Sequence, residues 1–426
     1  MELAILIFLL FFLLLLGVPV AFSLGMASIM MFFLIDIPIS VAVQRWAAST
    51  NLFVLMAIPF FVLSGELMAR SGIAARLIHV AEALLGRSKG GLGKVSVGAS
   101  MVFGAVSGSA VASVSAIGST MIPMMKQKGY GGDYSVALTA SAAILGILIP
   151  PSHNMVIFAA ASPVSVSVGD LFLAGIVPGV LSGVALMFAS HVAALRKGHP
   201  SGASEPVGVI LRACMLALPG LFTGVIIVAG ILLGIFTPTE SAAIAVLYTL
   251  LVGVLVYRSL GWRQIFEATV AAVKTTAMVM MIIGCAGMFS WLFALFEGPA
   301  QLAALVVGIS SEPAVVICLI LLVLLGLGAF MDMAPLIIIT TPIFLPIAVD
   351  VGVDPVQFGV MMMLSLGIGL VTPPVGSVLF VGCAVGQVAP DRVIRQIWPF
   401  YLALLLVLLL VSFVPSMSLW LPSMIK

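Results

Sequence analysis

Charge is what this sequence has least of. Lys and Arg number 17 and Asp and Glu 15 among 426 residues, so 8% of the chain is charged. Soluble domains carry roughly 25% charged residues, which excludes a water-facing globule. The net charge is only +2 and no basic cluster interleaves with aromatics, so nucleic acid is not an expected partner. Cysteine is scarce too. Cys214, Cys285, Cys318 and Cys383 stand singly, which gives neither a disulfide frame nor a metal spacing. GxSxG, HExxH and Walker patterns are missing, and the four His have no partner spacing. No enzyme is expected. Without a nucleotide site, uphill work must draw on an ion gradient.

Apolar sequence, by contrast, makes up 63% of the chain. A hydrocarbon core of about 30 Å takes about 20 apolar residues per helix. Unalternated runs fit helices and not the period-two strands of a barrel, and they allow about ten to twelve crossings. The first run continues from Leu3 through Gly17-Val18-Pro19 to about Ile35, too long for a cleaved signal segment. Arg70, Arg76, Arg87, Lys89 and Lys94 crowd one connection, and Arg196, Lys197 and Arg212 another. Positive-inside bias puts both in the cytoplasm, with the N-terminus periplasmic. Residues 71–86 alternate at helical spacing, the pattern of a helix lying along the membrane surface.

The chain also repeats itself. At an offset of 223 residues Pro123 meets Pro346, Gly129 meets Gly352, Gly146 meets Gly369, and Pro150-Pro151 meets Pro373-Pro374. Gly and Pro fix special backbone geometry, so the same broken backbone is expected twice. Each Pro pair follows a Gly- or Ser-rich stretch, Gly104 to Ala110 and Gly326 to Asp332, which sets Ser109 opposite Asp332. Gly/Pro-interrupted apolar segments at matching places in two halves point to the binding site of a secondary transporter, whose halves often have opposite membrane orientation.

A double proline removes two N–H donors and leaves carbonyls that lipid cannot satisfy. A desolvated cation can. In the first half the candidate oxygen donors are Gly146, Ile149 and Pro150, with Ser107 and Ser109 arriving from the other break. In the second they are Gly369, Thr372 and Pro373, with Gly328 and Asp332 opposite. Hard oxygens without thiolate or imidazole suit Na+. Asp332, among apolar neighbours, is a functional candidate by default, although an acid at a segment end also pairs with a helix N-terminus. Ser152, His153 and Asn154 follow the first Pro pair, where exposed N–H groups would draw an anionic substrate; Ser109 and Thr372 complete the expected substrate contacts. Glu240, in Thr237-Pro-Thr-Glu240, reads as structural, a first-turn acid on a helix dipole.

Leu55 to Glu66, Gly104 to Ala112, Ala116 to Ser119, Ile149-Pro-Pro-Ser152, Thr237 to Glu240 and Gly369 to Gly376, in this order, resemble the large membrane subunit of the tripartite ATP-independent periplasmic transporters, the DctM family. The resemblance implies import of small organic anions driven by Na+, with an elevator motion of a transport domain against a scaffold. It implies two partners, a periplasmic solute-binding protein and a small four-helix membrane subunit, and no cofactor beyond Na+. It also implies two Na+ sites, one at Ser107, Ser109, Gly146, Ile149 and Pro150 and one at Gly328, Asp332, Gly369, Thr372 and Pro373, with substrate between them. Many relatives carry Asp where this chain has Ser113, and an apolar residue at His153. The polar pair His153-Asn154 therefore points to a sugar acid more than to a C4-dicarboxylate.

The expected fold is an all-α polytopic protein of the bacterial inner membrane, with two structurally related, inverted repeats containing broken helices or re-entrant hairpins. The expected units are N-terminal scaffold helices with a surface helix (1–94), a first transport repeat (95–195), a polar linker (196–212), further scaffold helices (213–274), a second transport repeat (275–397) and a C-terminal helix (398–426). A stand-alone Na+/carboxylate symporter is the competing reading, and a channel or scaffold without ion coupling a further one.

Overall fold

A computed structural model describes residues 1–200, 206–298, 300–301 and 312–425. Residues 201–205 of the expected linker, and 302–311 at the start of an apolar run, lie outside the described residues. The described chain is helical throughout, without a β-strand. Five helices open it: α1 (Glu2–Leu15), α2 (Val20–Leu34), α3 (Ile39–Thr50), α4 (Ala57–Arg70) and α5 (Ile73–Leu85). The first repeat follows as α6 (Gly91–Ser107), α7 (Ala110–Gln127), α8 (Gly132–Ala143) with the one-turn α9 (Leu145–Leu148), α10 (His153–Ala161) and α11 (Val168–Lys197). Three helices intervene, α12 (Val207–Leu232), α13 (Pro238–Leu251) and α14 (Trp262–Leu295). The second repeat is α15 (Pro313–Gly328), α16 (Met333–Asp350), α17 (Pro355–Gly369), α18 (Ser377–Gly386) and α19 (Pro390–Phe413), and α20 (Ser416–Ile425) closes the chain.

Among the described residues seven helices are long and apolar enough to cross a membrane, eight if the pair Gly132–Leu148 and His153–Ala161, bent by 53°, is one span. That is fewer than the ten to twelve that apolar content allows. The difference lies in five apolar helices of 10–17 residues, α1, α2, α15, α17 and α18, too short to cross singly. Helix α11 runs on through Lys197 and α12 already includes Arg212, so the linker between them is shorter than its polar composition implied.

The 223-residue offset appears in the helix boundaries themselves. Helices α7 and α16 follow the N-caps Ser109 and Asp332 and end at Gln127 and Asp350. Gly129 (φ +84°) and Gly352 (φ +89°) then turn the chain through the left-handed region that glycine alone enters freely. Helices α8 and α17 begin at Gly132 and Pro355. Both Pro–Pro bonds, Pro150–Pro151 and Pro373–Pro374, are cis.

Packing between the halves is reciprocal. Helix α10 packs on α16 and α18 on α7, while α8 packs on α19 and α17 on α11. Each partnership has its mirror, as a pseudo-two-fold relation between the repeats requires. Within each half two glycines let backbones cross. A Cβ on Gly104 would lie 2.3 Å from the Cα of Gly146, and one on Gly369 would lie 2.5 Å from the Cα of Gly328. Against this body stand α4, packed on α13 and α14, and α14, packed also on α2 and α3.

Candidate functional site

A cavity of about 580 Å³ opens where the two breaks face the scaffold helices. One wall holds Ser107, Ser109 to Ala112, His153, Asn154 and Asp332 to Ala334; the other holds Gly65, Glu66 and Arg70 of α4 with Thr275 and Met278 of α14. The first wall is made of the first turns of α7, α10 and α16. The first N–H groups of a helix have no partner within it, and the aligned peptide dipoles add partial positive charge there. Three such ends around one cavity make an anion-binding surface built from backbone.

The side chains at these ends are not alike. Ser109 caps α7 through its Oγ, which accepts from the Ala112 N–H at 3.3 Å. Asp332, its counterpart, makes no N-cap hydrogen bond to α16 and is exposed to the cavity. Ser107 is 5% exposed, and its Oγ has no hydrogen-bond partner among the described residues. Ser152, the N-cap of α10, is fully buried, unpartnered in the same sense, and stands outside the cavity lining. His153 and Asn154 line the cavity.

The two backbone breaks differ in their hydrogen bonds. Prolines at 150–151 and 373–374 deprive the carbonyls four residues earlier of their helical donors. In the second break the chain satisfies them itself. Thr372 N–H donates to Gly369 O at 2.8 Å and Val378 N–H to Leu370 O at 3.1 Å. Val375 and Gly376 N–H both donate to Ala329 O, each at 3.1 Å, and Tyr401 OH donates to Val371 O. In the first break Ile149 N–H reaches back to Leu145 O at 3.0 Å and leaves Gly146 O without a backbone donor among the described residues.

Of the residues singled out in the sequence, Ser107, Ser109, His153, Asn154 and Asp332 share the cavity. Gly146, Gly328, Gly369, Thr372 and Pro373 lie outside its lining, and Ile149 and Pro150 line a different, apolar cleft of about 410 Å³ against α12. Thr372 Oγ1 donates to Ile368 O at 2.7 Å. No group of three or more His, Cys, Asp or Glu side chains is placed to hold a metal ion among the described residues, so a cation here would rest on neutral oxygens and Asp332. Glu240 is structural: it closes a capping box with Thr237 at the start of α13.

Sequence reading missed the α4 wall. Arg70 counted there as one of a basic cluster, whereas its Nη1 donates to the Glu66 carboxylate one turn earlier and both side chains line the cavity. The signal was present in Gly65-Glu66, a small residue and an acid inside an apolar run. Gly65 matters sterically, since a Cβ there would stand 2.8 Å from the Ser107 carbonyl oxygen.

The family model described as the tripartite ATP-independent periplasmic transporter, DctM component, matches residues 7–417. The C4-dicarboxylate TRAP transporter large permease protein DctM of Pseudomonas aeruginosa is 40% identical over 364 residues, 85% of each chain. The sialic acid TRAP transporter large permease protein SiaM of Vibrio cholerae is 38% identical over 365 residues, 86% of this chain and 85% of the relative. In fold the chain is similar to the YdaH transporter of Alcanivorax borkumensis, with a TM-score of 0.61 at 14% identity, over 90% of this chain and 87% of that one.

Proposed function

The chain belongs to the DctM component family of the tripartite ATP-independent periplasmic transporters and is a multi-pass membrane transport protein; from that premise we propose that it is the large permease of a Na+-driven importer of small organic acids. The observation that carries the reading is the convergence of three helix N-termini on one cavity. An organic acid offers carboxylate oxygens to those N–H groups, and Ser109, His153 and Asn154 add side-chain hydrogen bonds. Thr372, outside the lining, holds the second break through its hydrogen bond to Ile368 O, and Ser152 lies buried behind the lining. A solute-binding protein delivers the acid from the periplasm and a small membrane subunit completes the complex.

Na+ supplies the energy. Ser107, Ser109, Gly146, Ile149 and Pro150 form one site, for which the unengaged Gly146 carbonyl and the unpartnered Ser107 hydroxyl are the support. Gly328, Asp332, Gly369, Thr372 and Pro373 form the other, since a carbonyl oxygen that already accepts one hydrogen bond keeps a second lone pair. A bare cation needs no room of hundreds of cubic ångströms, which accounts for donors lying behind the cavity. Transport couples the two because a negative substrate and its cations neutralise each other in a medium that penalises charge.

Thermal unfolding of the full chain in detergent, in NaCl, KCl and choline chloride at equal ionic strength, tests this. A ligand of the folded state at a hundred times its Kd adds about 2.7 kcal/mol, so Na+ alone should raise the melting temperature. Asp332→Asn should diminish that rise. Succinate or sialic acid should add a further rise only in Na+. Equal melting in all three salts would overturn Na+ coupling. His153→Ala should reorder the preference among acids, and an unchanged ranking would remove His153 from the substrate site.

A further inference from the structure

We propose that the cleft between α5 and α12 binds a phosphate group, carried by an anionic phospholipid of the surrounding membrane or free in solution. The cleft, about 240 Å³, lies apart from the transport cavity and is independent of the proposed function. Arg76, His79 and Glu82 line it from α5, and Val209, Arg212 and Leu216 from α12. These positions recur at three- and four-residue steps, so each helix turns one face to the cleft. Two guanidinium groups meet one carboxylate, which leaves the cleft positive.

The basic groups are held ready. The Arg76 guanidinium lies over the Tyr257 ring, 3.8 Å from its centroid, and its Nη1 donates to Gly72 O at 3.0 Å. Tyr257 is itself fixed to α12: its hydroxyl donates to Leu216 O and accepts from the Gly220 N–H, each at 3.0 Å. A stacked guanidinium keeps its fork of N–H donors rigid for a phosphate. Arg212 is exposed and forms no ion pair among the described residues, where the two ion pairs found are Glu66–Arg70 and Arg263–Glu267.

The surroundings favour a lipid as the carrier. Arg212 stands one turn inside the apolar span Gly208–Leu232, and next to the cleft α12 exposes Leu211, Met215 and Leu218. Acyl chains would lie on those residues while the headgroup phosphate reaches the cleft. The basic residues crowded nearby place this edge on the cytoplasmic side, where basic pockets between helices recognise anionic headgroups.

The test uses the full chain in neutral detergent, with phosphatidylglycerol, phosphatidylcholine and inorganic phosphate as probes, read by native mass spectrometry and thermal unfolding. Phosphatidylglycerol should stay bound and raise the melting temperature, and phosphatidylcholine should do so weakly. Arg212→Gln should reduce the phosphatidylglycerol-bound fraction at least threefold, while Lys128→Gln, a charge loss elsewhere on the surface, should not. Arg212 is exposed, and His79→Gln, also at an exposed position, gives a second reading from the other helix. Protection by phosphatidylglycerol alone assigns the phosphate to lipid; Arg212-dependent protection by inorganic phosphate assigns it to a soluble anion. No protection by either probe, or binding unchanged in both variants, would overturn the site.

Discussion

Gly326 and Gly328 lie two residues apart on α15, yet a methyl group would find different surroundings at each. At Gly326 nothing stands within 4 Å; at Gly328 the Cα of Gly369 would lie 3.0 Å away and Leu366 O 3.1 Å away. Gly326→Ala should therefore stabilise the helix by about 0.5–1 kcal/mol. Gly328→Ala must push two backbones apart and should cost about 1–3 kcal/mol. Melting temperatures of the two variants decide the matter, and equal values would refute the close crossing. His199 offers a second prediction. It is packed between Tyr130 and Tyr134, with ring centroids 4.4 and 4.8 Å away, beside Lys197. Burial first, and the Lys197 charge second, hold its pKa below the ordinary histidine value of 6.5. The unfolded chain then binds a proton that the folded chain refuses. Stability present at neutral pH is lost as pH falls from about 6.5 towards the lowered value, and His199→Gln should flatten melting curves compared at pH 7.5 and 5.5. Single residues of this kind were unevenly legible in the sequence. Gly146, Gly369 and the Pro pairs announced themselves because they constrain the chain locally. Arg70 did not, because its partner and the cavity it faces are set by packing.

At the scale of helices, the contrast between α7 and α16 gives a test of capping in the absence of Na+. Ser109 caps α7 with a hydrogen bond and Asp332 does not cap α16. Ser109→Ala should lower stability in KCl by about 1 kcal/mol, the usual worth of an N-cap, and, since Ser109 also belongs to the first proposed Na+ site, should diminish the Na+ response as well. Asp332→Asn should leave melting in KCl unchanged and act only on the Na+ response. If both variants behave alike in KCl, the difference in capping has no energetic content. Helix ends of this sort could be read ahead of the fold: the box Thr237 to Glu240 stands where its residues said it would. Helix lengths could not. Hydropathy marks apolar segments but does not register that α15 ends and α18 begins where Ala329 O accepts from Val375 and Gly376, residues far apart from it in the chain.

For the molecule as a whole, the repeat was visible in sequence and the partnership between repeats was not. The 223-residue offset follows from Gly and Pro positions alone. That α10 would pack on α16 and α18 on α7, or that α4 and α14 would wall the cavity, depends on contacts between segments far apart in the chain. Gly65 tests that wall. Its Cβ would press on the Ser107 carbonyl, so Gly65→Ala should slow transport more than it lowers melting temperature, if the cavity lies at a contact that has to shift.

Synthesis proceeds from one end, and the exchanged contacts give that order a consequence. Helix α10 begins at residue 153, while the helix that covers it begins at residue 333. At 5–20 residues per second the ribosome needs roughly 9–36 s to supply it. During that interval the face of α10 that α16 will cover stands without its partner. The first repeat is therefore a client for whatever shelters half-made membrane proteins. A chain ended at residue 298 never receives its partner, and pulse-labelling should find it cleared well before the full-length protein.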